Sequence, residues 1–310
     1  MLLAARSAAR APFVAALDGQ DVHFIHARGE GAAPMPLVLT HGWPGSFLEF
    51  EYILPMLTHP SLFWGDATDA FDVVIPSLPG YGFSPAPSRP GMSPRRIAGL
   101  WVELMGGLGY ERFAVQGGDI AAGVSVWDAR LFPEAVAAIH LNYIPGSYQP
   151  ALSPDAAPMS WEEAAFQLAA SDWSKAEGAY AHIHATRPQT LAYALTDSPI
   201  ALAAWLIEKY RVWSDCHGDL ERVFDLDHPL TILSLYWFSG AAGDAIRIYK
   251  EGVADPLAFG PGEWIAPPLS VALFPRELPM PPVPGSRGSS VFSGGPARRG
   301  HGGRSRHRPR

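Results

Sequence analysis

Cysteine is nearly absent: the 310 residues contain one, Cys216. A lone thiol forms no internal disulfide, so burial must hold the fold, and a reducing, cytoplasmic setting suits such a chain. No apolar run approaches the ~20 residues that cross a bilayer. The first 17 residues carry Arg6 and Arg10 and no acid, yet lack the uninterrupted apolar stretch of a secretory signal. No membrane partner is therefore expected. No Gly-x-Ser-x-Gly occurs either; Gly123-Val124-Ser125-Val126-Trp127 fails at its last position, which disfavours a serine esterase. Acid is missing from residues 283–310, which hold seven of the 23 basic residues and leave 16 bases against 30 acids elsewhere. That balance of −14 on the main body argues against nucleic acid as a partner. The Arg/Gly/Ser/Pro tail has too little apolar content to order itself.

What the chain does have is a 48% hydrophobic content with 17% charge, enough for one large domain with an insertion. Residues 22–27, 36–40, 71–77, 113–116 and 136–141 cluster β-branched and apolar side chains as strands do. Helical spacing covers 92–108 and 121–132, the latter stopped by Pro133. Strands alternating with helices predict an α/β fold with a mostly parallel sheet. After Tyr143 the pattern turns helical, through 161–170, 189–195, 200–211, 229–239 and 244–250, before strand-like composition returns at 266–274. The chain thus divides into a linker or domain remnant (1–20), a first core part (21–145), a helical cap (146–253), a core return with the seventh strand (254–282) and the tail (283–310).

The chemistry centres on Asp119. Residues 112–122 run a short strand into a small-x-Asp-x-small-small turn, where α/β hydrolases usually carry the serine of a nucleophile elbow. The backbone there is strained and leaves room only for small neighbours, supplied by Gly117, Ala121 and Ala122. A carboxylate nucleophile makes an alkyl ester, so the expected substrate carries an electrophilic sp³ carbon, as in an epoxide or alkyl halide. His41-Gly42-Trp43-Pro44-Gly45 follows the 36–40 strand, where this fold places its oxyanion loop. The expected donors are the N–H groups of Trp43 and Ile120, with His41, Gly42 and Pro44 as structural members of the loop. His182 and His184 stand only two apart with no third ligand in view, so no metal is expected, and the reaction needs no cofactor.

Taken together, the blocks His-Gly-Trp-Pro-Gly-Ser-Phe (41–47), Pro-Ser-Leu-Pro-Gly-Tyr-Gly-Phe-Ser (76–84), Gln-Gly-Gly-Asp (116–119), Asp-Ser-Pro (197–199) and Tyr-Lys-Glu (249–251) resemble epoxide hydrolases of the microsomal and juvenile-hormone type. The resemblance covers approximately residues 13–282 and leaves out most of that family's N-terminal domain. It implies an α/β-hydrolase fold with a helical cap, and a small-molecule epoxide opened to a diol. It further implies Tyr180 and Tyr249 as cap proton donors and Glu277, in Phe274-Pro275-Arg276-Glu277, as the acid that orients a histidine base. The family's Gly-Gly-His-Phe segment has no counterpart; His301 lies at a comparable interval, in a different context. Slow hydrolysis of the ester is the expected consequence. Ile120 stands where a tryptophan is common, which alters pocket shape. It also weakens the rival reading, haloalkane dehalogenase, since a Tyr pair suits an oxyanion leaving group better than a halide. A ligand-binding remnant without turnover is the third reading. Oligomeric state is left open.

Overall fold

The computed structural model describes residues 12–143, 160–259, 263–272 and 274. Among the described residues seven strands form one sheet: β1 (Pro12–Leu17), β2 (Gln20–Ala27), β3 (Met35–Thr40), β4 (Phe71–Pro76), β5 (Phe113–Gly117), β6 (Val136–Leu141) and β7 (Leu269–Val271), in spatial order 1-2-4-3-5-6-7. β1 and β2 run antiparallel and β2 pairs antiparallel with β4; the remaining pairs are parallel. β4 shows why these strands are apolar throughout. Val74 joins the cluster on one face, Val73 and Ile75 the cluster on the other, so both faces are covered.

The α-helices outside the cap, among the described residues, are α1 (Leu54–Thr58), α2 (Pro94–Gly107) and α3 (Ile120–Leu131). α2 begins as its sequence dictates: Ser93 caps it, accepting from the Arg96 amide, and Pro94 takes the first turn. Ile97, Leu100, Trp101, Leu104 and Met105 form its buried stripe.

The cap comprises α4 (Trp161–Glu177), α5 (Ala179–Thr186), α6 (Pro188–Asp197), α7 (Pro199–Trp213), α8 (Asp227–Ser239), α9 (Ala242–Ala245) and α10 (Arg247–Ala254). Ser160 and Glu163 close a capping box on α4, and Ser198 with Pro199 opens α7, which gives the Asp-Ser-Pro block a local structural role.

Two expectations need correction. Residues 12–17, placed in a linker or domain remnant with no strand expected, form β1, joined to β2 by a two-residue turn in which Asp18 and Gly19 both have positive φ. The strand expected over 266–274 is shorter, limited to Leu269–Val271 beside β6. Residues 1–11 and 283–310 lie outside the described residues. Among those described, no single helix is long and apolar enough to cross a membrane.

Candidate active site

The topology brings two loops together. The chain steps from β3 to β4 on one side and returns through α2 to β5 on the other, so the carboxyl ends of β3 and β5 flank the point where strand order reverses. Thr40 pairs with Gly117, which sets residues 41–43 beside 118–120. The Trp101 indole anchors Thr40 by donating to its hydroxyl at 3.1 Å.

Asp119 adopts φ 50° and ψ −129°, the strained conformation expected of the elbow. Around it the chain leaves no room. A Cβ at Gly117 would run into the Ala121 carbonyl and the Ser125 hydroxyl, one at Gly118 into the Asn142 side chain, and one at Gly42 into the Asp119 side chain itself. The Trp43 amide donates to Asp119 Oδ1 at 2.8 Å, and the Ile120 amide donates to the same carboxylate. Burial pushes the Asp119 carboxyl up to about 6, even with these two donors favouring its ionised form. The group is therefore ionised at pH 7 but poorly solvated.

His41 is buried and fully engaged. Its Nε2 accepts from the Leu78 amide at 3.2 Å, which leaves the proton on Nδ1, 3.1 Å from the Gly42 carbonyl. Burial lowers its pKa to about 4, so it braces the loop as a neutral imidazole. From the cap, the Tyr236 hydroxyl donates to the Gly45 carbonyl at 2.8 Å and ties α8 to the same loop.

A cavity of about 620 Å³ opens over Asp119, between Trp43 and Phe50 below and Trp173, Tyr180, Lys209, Tyr210, Trp213 and Phe224 of the cap above. Tyr180 stacks on the Trp43 indole, with centroids 5.1 Å apart and an angle of 10°. α10 packs on α5 and carries Tyr249 to Tyr180, the rings meeting edge to face at 5.9 Å. Tyr180 lines the cavity, whereas Tyr249 stands behind that wall. The Tyr249 hydroxyl is shut off from solvent and has no partner of ordinary geometry among the described residues, yet it lies close enough to perturb Tyr180. Burial and, next, the Asp119 charge raise both phenols, so both keep their protons at neutral pH.

The sequence reading gave no role to four nearby residues. Glu49 lines the cavity, and desolvation together with Asp119 lifts its carboxyl to about 8. His184 accepts from the Trp205 indole at 3.0 Å and is driven down to about 3 by burial and by Lys209. Lys209 and Tyr210 complete the set. Glu277 and His301 lie outside the described residues, among which no group of three or more metal-ligating side chains occurs.

Comparison with known proteins matches residues 5–50 to the epoxide hydrolase N-terminus model and residues 35–195 to the alpha/beta hydrolase fold model. The chain is 35% identical to epoxide hydrolase 1 of Oryctolagus cuniculus over 290 residues, covering 86% of this chain and 64% of that one. It is 35% identical to the juvenile hormone epoxide hydrolase of Manduca sexta over 261 residues, covering 77% and 55%. Among solved structures, Aspergillus niger epoxide hydrolase superposes with a TM-score of 0.74 at 30% identity, covering 91% of this chain and 70% of that one. The chain spans less than two thirds of the length of the curated relatives it matches. On sequence and fold alike, the chain belongs to the epoxide hydrolase family of α/β hydrolases.

Proposed function

We propose that the chain opens small-molecule epoxides by covalent catalysis at Asp119. One Asp119 oxygen attacks an epoxide carbon, the ring C–O bond breaks, and Tyr180, assisted by Tyr249, gives its proton to the departing oxygen. An alkoxide is a poor leaving group without that proton, and neutral phenols supply it. The ester that results is opened by water at its carbonyl carbon, with the Trp43 and Ile120 amides facing the oxyanion; such donors carry about 3 kcal/mol each. The observation that supports the reading best is the buried Asp119 carboxylate, held by two backbone donors at the floor of a cavity roofed by Tyr180.

The second half-reaction needs a base. His41 has both nitrogens occupied, and it is the one histidine among the described residues that line the cavity. A histidine in that role has to come from outside the described residues, with His301 as the candidate and Glu277 as its orienting acid. Slow ester hydrolysis, with diol release lagging behind enzyme alkylation, follows if His301 is poorly placed.

Incubation with excess styrene oxide and chromatographic detection of 1-phenyl-1,2-ethanediol tests the activity. Diol above the uncatalysed rate with the native chain, and none with Asp119→Asn, is expected. Equal diol yields from the two proteins would refute the reading.

A further inference from the structure

Lys209 occupies a place that a solvated lysine does not take. It is 7% exposed, a rarity for this residue type. Its ammonium lies 4.9 Å from the centroid of the Tyr180 ring and 5.4 Å from that of Trp213, two rings that meet at 5.1 Å and 62°. Trp213 stands one turn further along α7, so the helix itself builds half of this aromatic corner. Glu208 pairs with the ammonium at 2.7 Å, and Glu177 lies 3.9 Å away. Among the described residues lining the cavity, Lys209 is the one lysine or arginine, set against Glu49, Asp119, Glu177 and Asp215.

We propose that Lys209 is a positioning residue for ring opening, its ammonium held against the face of Tyr180 to stabilise the negative charge that gathers there as the tyrosine gives up its proton. The idea rests on Tyr180 being the donor. A cation is drawn to the electron-rich face of an aromatic ring, and a phenolate is richer than a phenol, so the attraction grows along the reaction coordinate. The contact is thus stronger in the transition state than in the resting enzyme, which is the condition for accelerating a step. The step balances. Asp119 forms a C–O bond to the substrate, the ring C–O bond breaks with its pair on oxygen, and that oxygen takes the Tyr180 proton. A phenolate is left facing the ammonium. Hydrolysis of the ester by water restores the carboxylate, and the proton it releases returns to Tyr180.

The test measures the rate of Asp119 alkylation by intact-mass spectrometry with propylene oxide and with its trifluoromethyl analogue, whose alkoxide is less basic. Lys209→Met keeps the buried stem and removes the charge, while Lys209→Arg keeps a charge. The Met variant is expected to alkylate roughly tenfold more slowly with propylene oxide, the range of a desolvated cation–π contact. Its half-saturating concentration should stay within about twofold of native. The loss should shrink with the trifluoromethyl compound, Lys209→Arg should recover most of the rate, and Tyr180→Phe should abolish the effect of a further Lys209→Met change. Native rates in Lys209→Met, or equal losses on both epoxides, would overturn the role of Lys209. If Tyr180→Phe alkylates as fast as the native chain, it is the donor assignment that fails, and the lysine proposal falls with it.

Discussion

Replacing Asp119 with asparagine removes a charge that the fold holds at a cost, and the size of the cost follows from the site. Burial lifts the carboxyl from its ordinary 3.8 to about 6, a figure already net of the Trp43 and Ile120 donors. Holding it ionised at pH 7 therefore costs about 3 kcal/mol relative to the unfolded chain. A carboxyl raised in the folded state gives its full contribution to stability below the unfolded value and loses it as pH rises through the folded value. The penalty is consequently absent below pH 4, develops between pH 4 and 6, and is complete above that. The Asp119→Asn variant escapes it, because a carboxamide oxygen can still accept from the two amides and asparagine matches the size and shape of the aspartate it replaces. Urea unfolding followed by tryptophan fluorescence from pH 4 to 7.5 measures the difference. The variant should gain up to about 3 kcal/mol at pH 7, on the order of 5–10 °C in midpoint temperature, and nothing at pH 4. Equal stabilities at pH 7, or a gap that persists unchanged into acid, would refute the reasoning.

The same titration governs reactivity: alkylation of Asp119 by an epoxide should fall about tenfold per pH unit below pH 6, as stopped reactions analysed by mass would show. Gly42→Ala places a methyl against the Asp119 side chain and should reduce alkylation by at least about a hundredfold, while circular dichroism stays native. Tyr236→Phe leaves the buried Gly45 carbonyl without its donor and should cost about 1–2 kcal/mol in urea unfolding. Asp128 is buried in α3, both its oxygens lack partners among the described residues, and burial raises its pKa well above normal. Asp128→Leu should therefore raise the thermal midpoint, more at pH 8 than at pH 5.

Asp119 was legible because an elbow constrains its neighbours: glycine stands where a Cβ would collide, alanine where only a small side chain is buried, and that pattern is local in sequence. The donor from Trp43 was legible for a related reason, since the register of β3 against β5 fixes which amide meets the elbow. Tyr180 and Tyr249 were identified through the family resemblance alone. Their helices carry tyrosines that spacing does not distinguish from core residues, and only the packing of α10 on α5 brings them together. Glu49 and Lys209 left no signal, for burial of a charge next to a cavity is a property of the assembled cap and core. β1 could have been read. Asp18-Gly19 is a strong hairpin signal between the short apolar segment 12–17 and the strand that follows.

The central claim is that Asp119 supplies the oxygen that bonds to the substrate carbon, and the mass of the intact protein tests it most directly. Exposure to styrene oxide followed by acid quenching should add the mass of one epoxide, and peptide mapping should locate it on Asp119, with no addition in Asp119→Asn. An unmodified protein that nevertheless releases diol, or an adduct on any other residue, would contradict it.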